Sequence, residues 1–265
     1  MIKVLTVAED IQPSLLSIVQ RLLRKRRDWR KDFVHSRGLT TLSKILTHAM
    51  DTKNGPVVNA SIKCFEASMA SKGALSKLSK RSELLNPIVL ALDTENENTR
   101  TTVLKMCAII MAEYGRRPCL QAFSYYATEM GEERFTVLVD VLVKSKNLDL
   151  KDNAFLVINL LINAKELDAR VQRRREFNSL GLLETIQTMK ANGELSANPA
   201  LGDRVTEYLE LMEDDQMEVQ DRAVLSGKQV DVNKIDSVLS AVQKAVEGNA
   251  QLEADLKSML LGVRE

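Results

Sequence analysis

Two histidines, His35 and His48, and three cysteines, Cys64, Cys107 and Cys119, are the side chains to which a nucleophilic or metal-assisted reaction would first be assigned. Their spacing supports neither. The histidines form no H-E-x-x-H pair, no C-x-x-C accompanies them, and the glycines never arrange as a phosphate-cradling G-x-G-x-x-G or G-x-x-x-x-G-K-[ST] loop. Acid–base work by two carboxylates near neutral pH requires one of them to be buried. The pairs Glu132-Glu133 and Asp214-Asp215 stand in polar surroundings instead. No catalytic residues, no metal site and no cofactor are expected.

Two runs of positive charge invite a different chemistry. Arg173-Arg174-Arg175 lacks interleaved aromatics and is balanced by Glu166, Asp168 and Glu176, so it reads as a solvated helix face rather than a nucleic-acid footprint. Between Arg21 and Lys31 lie seven basic residues, Arg26 and Arg27 among them. That cluster is either a solvated helix end or a patch for an acidic protein surface or anionic lipid. With a formal net charge of +1, nothing in the chain as a whole demands a nucleic-acid or membrane partner.

The elements that must position these groups are helices. Glycine (11) and proline (5) are scarce, aromatics make up 4%, and period-2 runs of β-branched residues are few. Pro13 suits a helix start, and a short helix from Trp29 to Ser36 stops at Gly38. Apolar stripes then recur in pairs. Their openings, at Leu39, Leu84, Phe135 and Leu182, are separated by about 45 to 51 residues, near the ~40–47 of armadillo and HEAT repeats. Each is followed by a second helix, the most apolar of which carries Ala154, Phe155, Val157, Ile158, Leu161 and Ile162. One such unit cannot bury its own apolar face, so neighbours must stack. The fold class expected is an all-α armadillo-type solenoid followed by a long C-terminal helical segment. Its expected parts are residues 1–37, 38–198, a connecting helix at 199–230, and 231–265.

Counted as heptads from Ile235, the a positions are Ile235, Val242, Asn249, Leu256 and Val263, and the d positions are Val238, Ala245, Leu252 and Met259. A single Asn at an a site costs stability but selects register and oligomer state. Two readings stand side by side: a parallel homodimer seam, or a helix that packs back on the array. The odd, widely spaced cysteines favour a reducing compartment, and no signal-like apolar region or membrane-length apolar run appears. A cytoplasmic location is expected.

One stretch carries a family resemblance. Ile158 to Leu182 reads I-N-L-L-I, then Glu166-Leu-Asp-Ala-Arg-Val171, then Glu176-Phe-Asn-Ser-Leu-Gly-Leu182. It resembles the "IN-x-L-I … E-L-D-x-R-V … E-[LF]-x-x-L-G-L" pattern of diaphanous-related formins. Trp29 to Leu46 is similar to that family's W-x-x-x-F … G-L-x-x-L-L opening, and Ile62 to Gly73 to its C-L-x-A-[FL]-M-N-x-K-x-G helix. The resemblance implies a regulatory region with three parts: a GTPase-binding segment, an armadillo-repeat inhibitory domain (formin homology 3), and a dimerisation region.

By that resemblance, a Rho-family GTPase in its GTP state is a partner, with Met69, Ala70, Ser71 and Lys72 as contact candidates, joined by Arg26 and Arg27. Ala70-Ser71 departs from the Asn-Asn or Asn-Thr common in the family. The other implied partner is the formin's own C-terminal autoregulatory helix. Its groove would be formed by Phe155, Ile158, Asn159 and Ile162, so that Ile158→Glu abolishes its binding while leaving helicity intact. Actin would be reached only through downstream domains absent from this chain, and the location would be cytoskeletal. From the residues alone, Asn159 reads as a helix-surface residue and Asn163 as a C-cap. A generic armadillo adaptor without GTPase dependence is the alternative function.

Overall fold

The computed structural model describes residues 12–225 and 235–246, and among these every regular element is helical. Contacts divide the chain into two units, Met1–Tyr208 and Leu209–Glu265. The first unit is a stack of three-helix repeats. Helix α1 (Pro13–Lys25) precedes the first repeat, α2 (Arg27–His35), α3 (Gly38–Asp51) and α4 (Gly55–Ser68). The second repeat is α5 (Lys72–Lys80), α6 (Ser82–Leu90) and α7 (Glu97–Tyr114); the third is α8 (Arg117–Met130), α9 (Thr136–Lys144) and α10 (Leu148–Ile162). The last comprises α11 (Leu167–Ser179), α12 (Leu182–Ala191), the single turn α13 (Glu194–Ala197) and the start of α14 (Pro199–Leu225).

The third helix of every repeat packs on its counterpart in the next, so α1, α4, α7 and α10 form one continuous inner layer. Helices α3, α6, α9 and α12 lie in the outer layer, with α8 wedged against α6. The four sequence openings fall at the starts of the outer-layer helices: Leu39 in α3, Leu84 in α6, Phe135 capping α9 and Leu182 opening α12. The armadillo-type reading therefore holds.

Local signals place the boundaries. Asn54, Asn96 and Asn147 cap α4, α7 and α10, each side-chain oxygen accepting a backbone N–H of the first turn. The chain enters α3, α9 and α12 through a left-handed residue, Arg37 (φ 62°), Phe135 (φ 77°) and Gly181 (φ 83°). Only Gly181 adopts that conformation without steric cost. Phe135 is held in it by its ring, stacked on Phe177 at 4.6 Å and edge-on to Phe123 at 5.9 Å. Gly38 is required for another reason: a Cβ there would come within 2.6 Å of the Phe33 ring.

Polar side chains stitch the repeats together at one repeat's spacing. Arg24 pairs with Glu66, Thr99 Oγ1 donates to Asn59 Oδ1, Ser145 Oγ donates to Glu97, and Lys151 pairs with Glu194, the partners standing 40 to 48 residues apart. Stacking thus buries apolar stripes and closes each neighbouring pair with a hydrogen bond. In the second unit the end of α14 carries an Arg222–Glu218 pair one turn apart, and α15 (Ile235–Val246) follows.

Candidate protein-binding surfaces

The first surface is the corner where α1 turns into α2. Arg26 leaves α1 in an extended conformation and α2 starts at once. The Arg30 guanidinium crosses the corner to donate to the Leu23 carbonyl at 2.8 Å, supplying a partner that the last turn of α1 lacks. Beside it, Arg24 meets Glu66 of α4 at 3.0 Å. Arg24, Arg30, Glu66, Ala67 and Ala70 enclose an open hollow of about 230 Å³.

The α4–α5 turn therefore lies against the basic corner, joining residues more than forty positions apart. Lys77 of α5 fixes this approach by donating to the Val34 carbonyl of α2 at 2.6 Å. Of the sequence candidates, Ala70 and Lys72 are exposed and Ser71 is half-buried. Arg26 and Arg27 are exposed at the corner without lining the hollow. Met69 is turned into the core and offers no surface. Arg24 and Arg30, which sequence reasoning placed only within a charge run, are the two cations that face Ala70.

The second surface is the inner layer. Phe155, Ile158 and Ile162 of α10 are 0%, 0% and 2% exposed, so they hold the helix in place rather than line a groove. The physical reason is that α10 is covered on most of its circumference: nine of its fifteen residues are buried, Lys151 and Asn153 included. Solvent reaches a stripe of α10 made of Asp149, Asp152, Leu156, Asn159 and Leu160, and on α7 Lys105, Ile109 and Ala112 are exposed. Ile109, 45% exposed, is an apolar residue of α7 that periodicity could have singled out.

Asn159 is half-buried, and its Nδ2 donates to the Arg204 carbonyl at 3.0 Å and to Glu207 at 3.2 Å. Its Oδ1 is buried without a partner. Asn163 is the C-cap of α10, as its position suggested. Arg204 in turn pairs with Asp152, and Phe155 meets the Tyr208 ring edge-on at 5.9 Å. Burial pushes the Tyr208 hydroxyl up to about 12, against the opposing pull of Arg174.

Of the side chains with reactive potential, His35 and His48 are exposed and the thiols are sequestered. Cys64, Cys107 and Cys119 are buried free thiols. Burial drives Cys64 up to about 12, and Cys119 is raised by its hydrogen bond to Cys107 and then by burial. Among the described residues no three His, Cys, Asp or Glu side chains cluster as a metal set, and no helix is long and apolar enough to cross a membrane. Of the heptad positions, Ile235 and Val238 fall on α15, where Val242 is exposed; Asn249, Leu252 and Leu256 lie outside the described residues.

Comparisons with known proteins match this chain to a family. The Diaphanous FH3 Domain family model matches residues 116–262, and the Diaphanous GTPase-binding Domain model matches residues 2–112. Formin-F of Dictyostelium discoideum is 25% identical over 93% of this chain, and Disheveled-associated activator of morphogenesis 1 of Homo sapiens is 26% identical over 81%. The chain spans about a fifth of each of those proteins, 21% in both cases. The crystal structure of E. histolytica Formin1 bound to EhRho1-GTPγS superposes with a TM-score of 0.74 at 19% identity, covering 83% of this chain and 78% of that one, and so shares its fold. The chain belongs to the diaphanous-related formins, carrying the GTPase-binding and FH3 domains of their N-terminal region.

Proposed function

We propose that this chain is the regulatory, protein-binding region of a formin, and that it acts by binding rather than by catalysis. A Rho-family GTPase in its GTP state docks on the basic corner and the α4–α5 turn. The C-terminal autoregulatory helix of the same formin docks on the inner layer and holds the actin-assembling part inactive until the GTPase displaces it. The observation that carries the reading is the corner itself. The hollow edged by Arg24, Arg30 and Ala70 lies wholly within the residues matched by the GTPase-binding family. The E. histolytica formin of the same fold was crystallised with a Rho protein, which supports the same partner class here.

Helix-in-groove docking needs an apolar stripe facing an accessible apolar strip, with charges setting direction. Ile109 and Leu156 supply that strip on α7 and α10, flanked by Lys105 and Asp152. The buried residues Phe155, Ile158 and Ile162 shape it from beneath. Competition between the two partners must be reciprocal: whatever factor the GTPase imposes on helix affinity, the helix imposes on the GTPase. Two chains are joined through the heptads that start at Ile235, and the assembly works on the cytoplasmic side, at the actin cytoskeleton.

Calorimetric titration of the full chain with a panel of Rho-family GTPases, each loaded with GTPγS or GDP, tests the reading. One GTPase is expected to bind in the GTPγS form alone, and Arg24→Glu with Ala70→Asp should weaken it by at least about tenfold, the scale of a lost charge-assisted contact. Binding that ignores the nucleotide, or none at all, would leave an armadillo adaptor as the better description.

A further inference from the structure

Arg173, Arg174 and Arg175 are expected as one solvated face, yet they go three separate ways. Arg174 turns inward, where its guanidinium donates to the Tyr208 carbonyl at 3.2 Å and lies over the Tyr208 ring. Arg175 is exposed. Arg173 is half-buried, near enough to Arg116 and Arg134 for their charges to act on it.

The seam between α8 and α11 has a register. Glu166, Arg170, Arg173 and Glu176 follow one another at three- and four-residue steps, so they share a face of α11. Both ends of the row are paired from across the seam. At one end the Arg116 guanidinium donates to the Asn163 carbonyl at 2.8 Å and stands 3.8 Å from Glu166. At the other, Arg134 grips both carboxylate oxygens of Glu176. Arg170 is committed to the carbonyls of Ala164 and Lys165. Among the described residues Arg173 between them reaches its own helix alone, the Ala169 carbonyl at 3.4 Å.

Among the described residues no carboxylate pairs with it directly. Loss of solvent lowers the Arg173 guanidinium from its usual value, and the positive charges of Arg116 and Arg134 lower it further, against Glu176 and Glu166. A half-buried cation crowded by like charges is an unfavourable arrangement in the absence of an anion. The surplus is local: the stretches 116–117 and 165–176 hold seven cations, Arg116, Arg117, Lys165, Arg170, Arg173, Arg174 and Arg175, against three carboxylates, Glu166, Asp168 and Glu176, on a chain whose total charge is +1. It is greatest at the Arg116 end, because Glu132 and Glu133 lie next to Arg134.

We propose that the Arg116–Arg173 end of the α8–α11 seam binds a phosphoryl-bearing anion of the inositol-phosphate type, free or as a lipid headgroup. A carboxylate already stands at each end of the row, and among the described residues none pairs with Arg173. A phosphoryl group brings three acceptor oxygens and close to two negative charges, which is what a guanidinium fork takes up. The Arg116–Glu166 pair is long and Glu166 is 71% exposed, so the incoming anion displaces little. The site lies on the first helices of the last two repeats, apart from the corner and the inner face, and stands whether or not a GTPase binds there.

The full chain is titrated by calorimetry with inositol trisphosphate and with inorganic phosphate, and by co-sedimentation with phosphatidylcholine vesicles with and without phosphatidylinositol bisphosphate. Saturable binding of the trisphosphate is expected, weakened about tenfold by Arg173→Gln and changed less than about twofold by Arg175→Gln, which removes the same charge from another face. Vesicle binding in addition identifies a headgroup as the source, and trisphosphate binding alone a free ligand. Arg173→Gln relieves like-charge crowding and should not lower the melting temperature, so a folding defect cannot imitate the loss. Equal weakening by the two substitutions, or no saturable binding of any probe, overturns the site.

Discussion

The N-terminal corner and the α10 stack use the same device with opposite weight. At the corner, the stitch between inner helices is Arg24–Glu66, with side chains 57% and 40% exposed. Under α10 it is Lys151–Glu194, at 4% and 21%, backed by Asp152–Arg204 at 14% and 28%. An exposed pair is screened and can be exchanged for a partner's charges at little cost, whereas a buried pair holds its geometry because a broken one leaves an uncompensated charge. The corner is thus built to trade contacts, and the stack to keep a surface in place while contacts are made on it.

The largest effect that separates the two roles lies within α10 itself. Ile158 has no exposed surface, so Ile158→Glu forces a carboxylate into a dry interior; loss of about 4 kcal/mol or more is expected, enough to unfold a marginal domain. The expectation that this substitution would spare helicity while abolishing peptide binding is therefore replaced. Leu156→Glu, two positions away on the accessible stripe, should change stability by under about 1 kcal/mol and still weaken an autoregulatory peptide by at least about tenfold. Chemical denaturation paired with peptide titration reads both. A Leu156→Glu chain that keeps full peptide affinity would remove the inner-layer groove from α10.

This pair of residues also shows what the sequence could carry. The repeat was legible because Leu39, Leu84, Phe135 and Leu182 open amphipathic helices whose polar sides face solvent. The register of the groove was not, because α10 is buried nearly all round and its apolar residues do not mark a single face. Hydropathy also misleads there: Lys151 and Asn153 are buried, while Leu156 and Leu160 are partly exposed. At the corner, the α4–α5 turn was assigned through the family motif, yet Arg24 and Arg30 emerge beside it only once the inner layer is stacked. The three arginines at 173–175 diverge for a similar reason: consecutive helical positions point about 100° apart, so one run meets three environments.

Next in size is the contrast between the stitches. Lys151→Ala leaves Glu194 without its cation at a site where the lysine is almost wholly buried, and a loss of about 3 kcal/mol is expected. Arg24→Ala should cost less than about 1 kcal/mol, because its pair is solvated. Urea denaturation of the two variants measures the difference. Equal losses would erase the distinction between a trading corner and a fixed stack; a still larger loss for Arg24→Ala would invert it.

The smallest effect asks whether a stitch stabilises through its position or through the group it satisfies. Pro87 lies inside α6 and has no N–H, so the Glu83 carbonyl one turn earlier lacks its helical partner. Ser43 of α3 supplies the substitute, its hydroxyl donating to that carbonyl at 2.7 Å. Ser43→Ala should then cost about 1 kcal/mol, the net worth of a hydrogen bond to a partly buried acceptor. Pro87→Ala restores an N–H at the position that bonds Glu83 within the helix, so in that background the same Ser43→Ala should cost roughly half as much. A double-mutant cycle read by thermal unfolding decides the matter. If Ser43→Ala costs the same with and without Pro87, the hydroxyl contributes as a packed contact between repeats, and the one-repeat spacing of these bonds follows from stacking alone. A reduced cost shows that the outer layer compensates across the repeat boundary for a hydrogen bond that its own helix cannot make.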